Sequence, residues 1–319
     1  MEQVKASTKA GGIDAAKAHL DAAANGQEGS ARFVNDEAGW QALAAWFAER
    51  GVSRVGIEAS GGYERGVSAY LRQLGLEVVT HQPAEVRAFA RFKRIKAKND
   101  KIDAAVIAAA TAQVDLVRAA ADPQLVELAD RLTAYEQAAE FVAMLKTMLE
   151  HVVLPDLRAQ YEAQLKNLKA WKASLAKDLV ARIGRHPDLQ RRFDLVRSLP
   201  GIGPIVAASL VLRMPELGAM SRGQAASLLG VAPFDRDSGK SHGERHIFGG
   251  RARVRRMVYL AAAVARRRDP AFKAFADRLA ALGKKPKVVL VAVMRKLIEA
   301  ANLVLARQTP WLTTAQQSL

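Results

Sequence analysis

The sequence predicts an α/β unit in its first third, followed by a helical remainder. Strand-like and helix-like segments alternate over residues 1–115, whereas apolar residues recur at helical spacings from residue 116 onwards. Hydrophobic residues make up 50% of the chain and aromatic residues only 6%, so the apolar content is mostly alanine, leucine and valine, which favours helices. We therefore expect a helix-rich protein of the α/β plus α class.

The first third contains the expected strands and helices. The residues before the GID sequence are polar or small, so we expect a short or distorted first strand. Asn35 is placed to cap a helix in DEAGWQALAAWFAER, where Leu43 and Phe47 fall on one face. The later elements are, in order, a strand at Val52–Glu58, a helix at Val67–Leu74 and a strand at Leu76–Thr80.

The remainder divides into a long polar segment and a basic, more apolar one. Leucines at helical spacing, interrupted at Pro155, predict a helical hairpin or coiled-coil arm over 116–194. Helices resume afterwards, including one from about Pro286 to Gln308 that has a broad apolar face. We therefore expect three domains, at 1–115, 116–194 and 195–319.

The composition excludes several classes of site. The chain has no cysteine, so disulfides, thiolate metal sites and cysteine nucleophiles are excluded, and a metal would have to bind carboxylates or histidines. No window approaches the roughly 18 apolar residues of a membrane span, and the start of the chain is polar. We expect no membrane partner and a cytoplasmic location.

The net charge of +16 is concentrated near the carboxyl-terminal end. Residues 1–115 and 116–194 each carry +1, whereas 195–319 has 21 basic and 7 acidic residues, a net +14. A compact region with this charge repels itself unless a polyanion binds it, so we expect nucleic acid as the partner of the last segment.

Four carboxylates in the first third are candidate metal ligands: Asp14, Glu58, Asp100 and Asp103. Asp100 and Asp103 are spaced i, i+3, which puts them on one helix face. Mg²⁺ and Mn²⁺ prefer oxygen ligands, and a set of carboxylates suits a site for phosphoryl transfer. Each acid alone is weak evidence, since an aspartate before a helix often caps it.

Two segments of the basic region are candidates for contact with DNA. LVRSLPGIGPIVAASL predicts a helix-hairpin-helix, in which Gly201 and Gly203 let the backbone approach a phosphate, although a tight helical corner has the same pattern. The turn DSGK contains Ser238 and Lys240 and precedes four arginines: Arg251, Arg253, Arg255 and Arg256. A serine in such a turn is ordinarily a turn former, and Ser241 lies three residues away.

These segments, in this order, resemble the DEDD transposases of the insertion-sequence-110 class and the related Piv-type DNA invertases. The matching stretches are GIDAAKAHLD, IEASGGYE, KAKNDKIDAAVIA, LPGIGPIVAASL, LLGVAPFDRDSGK and RLAALGKKPKVVLVAVMRKL. The resemblance implies a RuvC-like domain of the RNase H fold, with Asp14, Glu58, Asp100 and Asp103 as its metal-binding tetrad.

The resemblance also implies a covalent mechanism and several partners. Ser238 would attack DNA and leave a phosphoserine link, and a bridge RNA would pair with donor and target double-stranded DNA. A homodimer or homotetramer would assemble composite active sites.

Three further interpretations remain open at this stage. The protein could be a RuvC-like metal-dependent nuclease in which water attacks, or a site-specific DNA invertase without a guide RNA. The third, from a different class, is an architectural DNA-binding protein without catalysis, which would need neither the carboxylates nor a metal.

Overall fold

A computed structural model describes residues 9–95, 100–115, 117, 122–234 and 245–311, without the side chains of 100–102. The chain forms two compact units, Met1–Ala120 and Ala121–Leu319. The α/β plus α class predicted from the sequence is confirmed, since one unit contains a five-stranded sheet and the other is helical. The three-part domain division stays a prediction.

The first unit alternates strands and helices around one sheet. Its elements are β1 (Ala10–Ala15), β2 (His19–Ala24), β3 (Ser30–Val34), α1 (Glu37–Glu49), β4 (Arg54–Glu58), α2 (Arg65–Gln73), β5 (Glu77–His81), α3 (Pro83–Phe92) and α4 (Asp100–Thr111). The strand order is β3-β2-β1-β4-β5, in which β2 runs antiparallel to β1 and β3 while β4 runs parallel to β1 and β5.

The expectation of a short or distorted first strand was wrong. β1 has six residues, is nearly fully buried and pairs with strands on both sides. Its small residues suit the centre of the sheet because helices pack closely there: a Cβ at Gly11 would overlap the Phe47 ring of α1, and one at Gly12 would overlap the backbone of α4. Buried apolar side chains such as Ile13, Val55 and Phe47 form the core on the α1 and α2 side.

The cap of α1 is Asp36 rather than Asn35. The Asp36 side chain accepts a hydrogen bond from the N–H of Gly39 at 2.8 Å. Asn35 instead accepts from Trp40 Nε1 at 2.8 Å and donates to the carbonyl of Ala16 at 2.9 Å, so it joins the start of α1 to the β1–β2 turn.

The second unit is helical apart from a two-stranded ribbon. Its elements are α5 (Pro123–Leu149), α6 (Pro155–Ile183), α7 (Pro187–Arg197), α8 (Pro204–Arg213), α9 (Arg222–Leu229), β6 (Pro233–Phe234), β7 (His246–Ile247), α10 (Ala252–Arg268), α11 (Pro270–Ala281) and α12 (Pro286–Arg307). Helices α5 and α6 pack together as the predicted helical hairpin, and Pro155 is the first residue of α6. Helix α12 lies in the core against α7, α9, α10 and α11. Within the described ranges, no helix is both long and apolar enough to cross a membrane.

Candidate active site

Helix α4 packs on one face of the sheet and defines the candidate catalytic face. A Cβ added at Gly12 would overlap the carbonyl oxygen of Ala104 and the amide nitrogen of Ala108, and one at Gly56 would overlap Thr111 Oγ1. Gly12 and Gly56 are Cα partners on the parallel strands β1 and β4. Both glycines therefore face α4, and their missing side chains allow the helix to lie directly on the strands.

Two of the four predicted metal ligands lie on this face of the sheet, and a third belongs to the helix that packs on it. Side chains alternate along a strand, so Asp14 and Glu58, each two residues beyond a glycine that faces α4, point to the same side. Asp103 belongs to α4 itself and precedes Ala104, which contacts Gly12. All three are half-buried, and each interacts with other groups of the protein.

The fourth carboxylate and the predicted nucleophile cannot be placed in the same way. Asp100 begins α4, but its side chain lies outside the described residues, and Ser238, Lys240 and Ser241 lie outside them as well. Among the side chains that are described, no group of three or more His, Asp or Glu is spaced to hold one ion. The metal-binding tetrad therefore stays a prediction.

Sequence reasoning missed an ion pair beside Asp14, in which a buried aspartate contacts a half-exposed arginine. Asp21 on β2 is the Cα partner of Asp14, and Arg32 on β3 is the Cα partner of Asp21. Arg32 donates to both Asp21 oxygens, from Nε at 3.0 Å and from Nη2 at 2.8 Å. The alternation of His19 and Asp21 in HLDAAA was the available signal, since it puts two polar side chains on one face of a strand.

A second missed contact joins α4 to the far side of the same face. His81 Nε2 lies 2.8 Å from Thr111 Oγ1, and the Thr111 hydroxyl donates to the carbonyl of Ile107 at 2.7 Å. Because that hydroxyl proton is committed, we infer that His81 donates from Nε2. Burial lowers the pKa of His81 below its ordinary value, and nearby Glu85 partly opposes the shift. His81 is therefore a neutral anchor for α4, and it is also the Cα partner of Glu58.

In the second unit, a turn joins α7 and α8 where the helix-hairpin-helix was predicted, and the two glycines of this turn differ. Gly201 lies between α7 and α8 at φ +79°, and a Cβ there would overlap the carbonyl oxygen of Ala261 in α10. Gly203 caps α8, and a Cβ there would meet no atom within 4 Å. Gly201 thus accounts for close packing within the protein, whereas Gly203 leaves open space at the start of α8.

The four predicted DNA-binding arginines also divide into two pairs. Arg251 donates to both Glu216 carboxylate oxygens, at 2.5 and 2.7 Å, and to the carbonyl of Arg213 at 2.6 Å. Arg255 donates to the carbonyls of Gly230 and Gly249. These two side chains hold the loops of the unit together.

Arg253 and Arg256 have exposed side chains instead, at 60% and 70% exposure. Arg253 lies 3.6 Å from a Glu136 oxygen, and Arg256 lies 2.7 Å from a Glu140 oxygen, both on α5. Further cationic side chains that the sequence reading did not single out are exposed in the last turn of α10, at Arg266, Arg267 and Arg268.

Curated relatives cover most of the chain. The pilin gene-inverting proteins of Moraxella bovis and Moraxella lacunata are each 26% identical to it over 317 residues, which cover 94% of this chain and 96% of each relative. A protein of Streptomyces coelicolor, named as the insertion element IS110 uncharacterized 43.6 kDa protein, is 29% identical over 149 residues, 46% of this chain and 35% of that protein.

Two family models match successive parts of the chain. A DEDD-type IS110 model described as "Transposase" matches residues 11–154, which include the α4 face. A second, described as "Transposase IS116/IS110/IS902 family", matches residues 193–277, which include the hairpin and α10. The two segments together span well over half of the chain, and the protein therefore belongs to the IS110 family of transposases.

Proposed function

We propose that this protein cuts and rejoins the DNA of an insertion sequence by metal-dependent phosphoryl transfer, with a phosphoserine intermediate. The observation that carries the proposal is that Asp14 and Glu58 lie on the sheet face covered by α4, the helix to which Asp103 belongs. Membership of the transposase family supports DNA as the substrate. The RuvC-like assignment of residues 1–115 belongs to the same proposal, and the mixed sheet is consistent with it.

The donor atoms on this face fit a divalent cation. Carboxylate oxygens are the ligands that Mg²⁺ and Mn²⁺ prefer, and Asp14, Glu58 and Asp103 provide them, with Asp100 as the fourth proposed ligand. When bound, such an ion would stabilise negative charge on the phosphate under attack. The protein's own contribution is to hold carboxylates from two strands and one helix in fixed positions.

Ser238 is the proposed nucleophile. Its Oγ would form a bond to phosphorus as one P–O ester bond of the DNA breaks, and the serine proton would pass to a base or to solvent. A hydroxyl of the DNA strand to be joined would then attack the phosphoserine. The new DNA P–O bond forms as the bond from phosphorus to Ser238 Oγ breaks, and the proton of the attacking hydroxyl returns the serine to its free form. Because the serine and the carboxylates belong to different parts of the chain, we propose a homodimer or homotetramer in which subunits combine their sites.

The nucleic-acid partners in this proposal are donor and target DNA together with a bridge RNA. The net charge of +14 over 195–319 supports a polyanion partner, and Arg253, Arg256 and Arg266–Arg268 are exposed for phosphate contact. Gly203 leaves space for a backbone approach at the start of α8. Within this proposal, the arm over 116–194 separates or joins the subunits.

DNA inversion without a guide RNA is the second candidate outcome. The observation that favours it is the alignment with two proteins named as pilin gene-inverting, which extends over 94% of this chain. Insertion and inversion share the same bond-breaking chemistry, so the RNA and the DNA sites distinguish them. RNA that copurifies with the protein and pairs with both DNA sites would favour guided transposition.

Strand-transfer assays with three variants test the proposed chemistry. We expect Asp14→Asn to abolish cleavage and Ser238→Ala to abolish the covalent protein–DNA adduct, while the matched variant Ser241→Ala keeps both. Cleavage that persists in Ser238→Ala without an adduct would identify a water-using nuclease. Recombination that persists in Asp14→Asn would overturn the metal-dependent mechanism.

A further inference from the structure

Three side chains form a row across neighbouring strands on the α4 face. Asp14, Asp21 and Arg32 are successive Cα partners on β1, β2 and β3. Directly opposed residues of antiparallel strands point to the same face, with Cβ atoms roughly 5 Å apart. Asp21 therefore lies beside a residue that we propose as a metal ligand, and the inference below rests on that proposed function.

Asp21 is the more deeply buried of the two carboxylates in this row. It is 2% exposed, and its two oxygens accept hydrogen bonds from Arg32 Nε and Nη2 at 3.0 and 2.8 Å. His19, on the same face of β2, has Nε2 3.6 Å from Asp21 Oδ2. The two hydrogen bonds from Arg32 fix both the position and the orientation of the Asp21 carboxylate.

A purely structural role explains this arrangement poorly. The Asp21 carboxylate has lost nearly all of its hydration, whereas the Arg32 side chain that pairs with it is 53% exposed, so solvent weakens the attraction that offsets this loss. The row also puts Asp21 next to another acid, Asp14, which is unfavourable even though Arg32 bonds to both Asp21 oxygens. Both costs are offset if a divalent ion binds at this end of the row.

We propose that Asp21 is a positioning residue for the divalent metal at Asp14, and that Arg32 holds Asp21 in place. Asp21 adds negative potential beside Asp14 and restrains its orientation, while the Arg32 contacts prevent Asp21 from rotating. Residues that surround metal ligands typically change metal affinity about 10- to 100-fold when they are altered.

Binding of Mn²⁺ to the full chain, followed by electron paramagnetic resonance, tests the proposal without measuring catalysis. We expect Asp21→Asn to weaken Mn²⁺ binding about 10-fold. The matched control is Glu77→Gln, which changes another cross-strand carboxylate, paired with Arg54 at 2.7 Å on the same sheet. We expect this control to bind Mn²⁺ as the unaltered chain does.

Two further variants, Arg32→Lys and Asp14→Asn, distinguish failure of the positioning role from failure of the proposed metal site. If Asp21→Asn does not fold, Arg32→Lys keeps the positive charge but loses the two-bond contact, and it should still weaken Mn²⁺ binding. Normal Mn²⁺ affinity in a folded Asp21→Asn or Arg32→Lys, together with loss of binding in Asp14→Asn, overturns the positioning role and leaves the proposed metal site intact. Normal binding in Asp14→Asn overturns both.

Discussion

The N–H of Trp311 donates a hydrogen bond to Ser198 Oγ at 2.7 Å, which ties the last described residue to the end of α7. Ser198 in turn donates to the carbonyl of Leu195 at 2.6 Å, and the Trp311 ring packs against Phe272, with centroids 6.3 Å apart. The residues after α12 thus stabilise the start of the turn between α7 and α8.

Removing the Ser198 hydroxyl should destabilise the second unit. Ser198→Ala loses the acceptor for Trp311, with an expected cost of about 1 kcal/mol in the free energy of unfolding. Calorimetric unfolding measures the effect. Ser174→Ala is the matched control, because Ser174 donates to Trp171 in the same i−3 manner but is exposed. Equal changes for the two variants would show that the Trp311 contact contributes nothing.

A methyl group at Gly12 should displace α4. Gly12→Ala puts a Cβ into the backbone of Ala104 and Ala108, and overpacking of this kind costs roughly 1–3 kcal/mol. Because Asp103 moves with α4, we also expect weaker Mn²⁺ binding. Unfolding and metal titration together measure both effects. Gly223→Ala, in the first turn of α9 with no atom within 4 Å, should lower neither stability nor Mn²⁺ binding. Unchanged stability and Mn²⁺ binding in Gly12→Ala would refute the close contact.

The arginines of the second unit should separate stability from nucleic-acid binding. Arg251→Ala loses the contacts to Glu216 and Arg213, with an expected cost of about 1–2 kcal/mol in the free energy of unfolding after allowing for partial exposure.

Arg256→Ala should leave the free energy of unfolding within about 0.5 kcal/mol, since its ion pair is exposed. It should lower DNA affinity, and the slope of log affinity against log salt concentration should become shallower by about one. Calorimetry and DNA titrations at several salt concentrations measure the two effects.

A change on α5 provides the complementary experiment. Glu140→Gln removes the carboxylate that pairs with Arg256 at 2.7 Å, so DNA affinity should rise rather than fall. Unchanged affinity in both Arg256→Ala and Glu140→Gln would show that this part of α10 does not contact DNA.

Stability of the first unit should decrease below about pH 6.5. Burial lowers the pKa of His81 below its ordinary 6.5, so the folded state disfavours the charged ring. Well above pH 6.5 the ring is neutral in both states and its contribution is complete. As the pH falls, the unfolded chain takes up a proton that the folded chain does not, and the contribution is lost progressively until the pH passes below the folded pKa.

Unfolding between pH 4.5 and 8 measures this effect. His81→Gln keeps a side-chain N–H for Thr111 but does not titrate, so it should flatten the decline. His151→Gln, at an exposed position in the arm, should leave the decline as it is. Identical pH profiles for His81→Gln and the unaltered chain would contradict the assignment.

Much of the fold was predictable because local patterns determine it. The leucine spacing gave the hairpin of α5 and α6, and α12 begins at Pro286 as expected. The β1–β2 pair was misjudged because β-branched residues are scarce there, yet alanine and glycine are required where α1 and α4 pack on the strands. Tertiary packing overrode the strand propensity.

The sequence placed candidate ligands on elements that lie together but did not reveal their contacts. Asp14 and Glu58 share one sheet face and Asp103 belongs to the helix that packs on it, while their assignment as metal ligands stays a prediction. Asp21 and His81 could not be identified, because their importance depends on which strand and helix lie beside them. The sequence likewise gave no indication that Arg251 and Arg255 contact loops, since a charged side chain shows its partner only in three dimensions.

The Arg32–Asp21 pair also determines which pairing of strands is correct. A displacement of β2 by one residue would turn Asp21 towards the apolar core and Leu20 towards α4, because successive side chains alternate. The three alanines that complete β2 fit either face almost equally well and offer little resistance to such a slip. The charge of Asp21 and the burial of Leu20 both resist it, so the Arg32–Asp21 pair and the core together favour the alignment in which Asp21 stays beside Asp14.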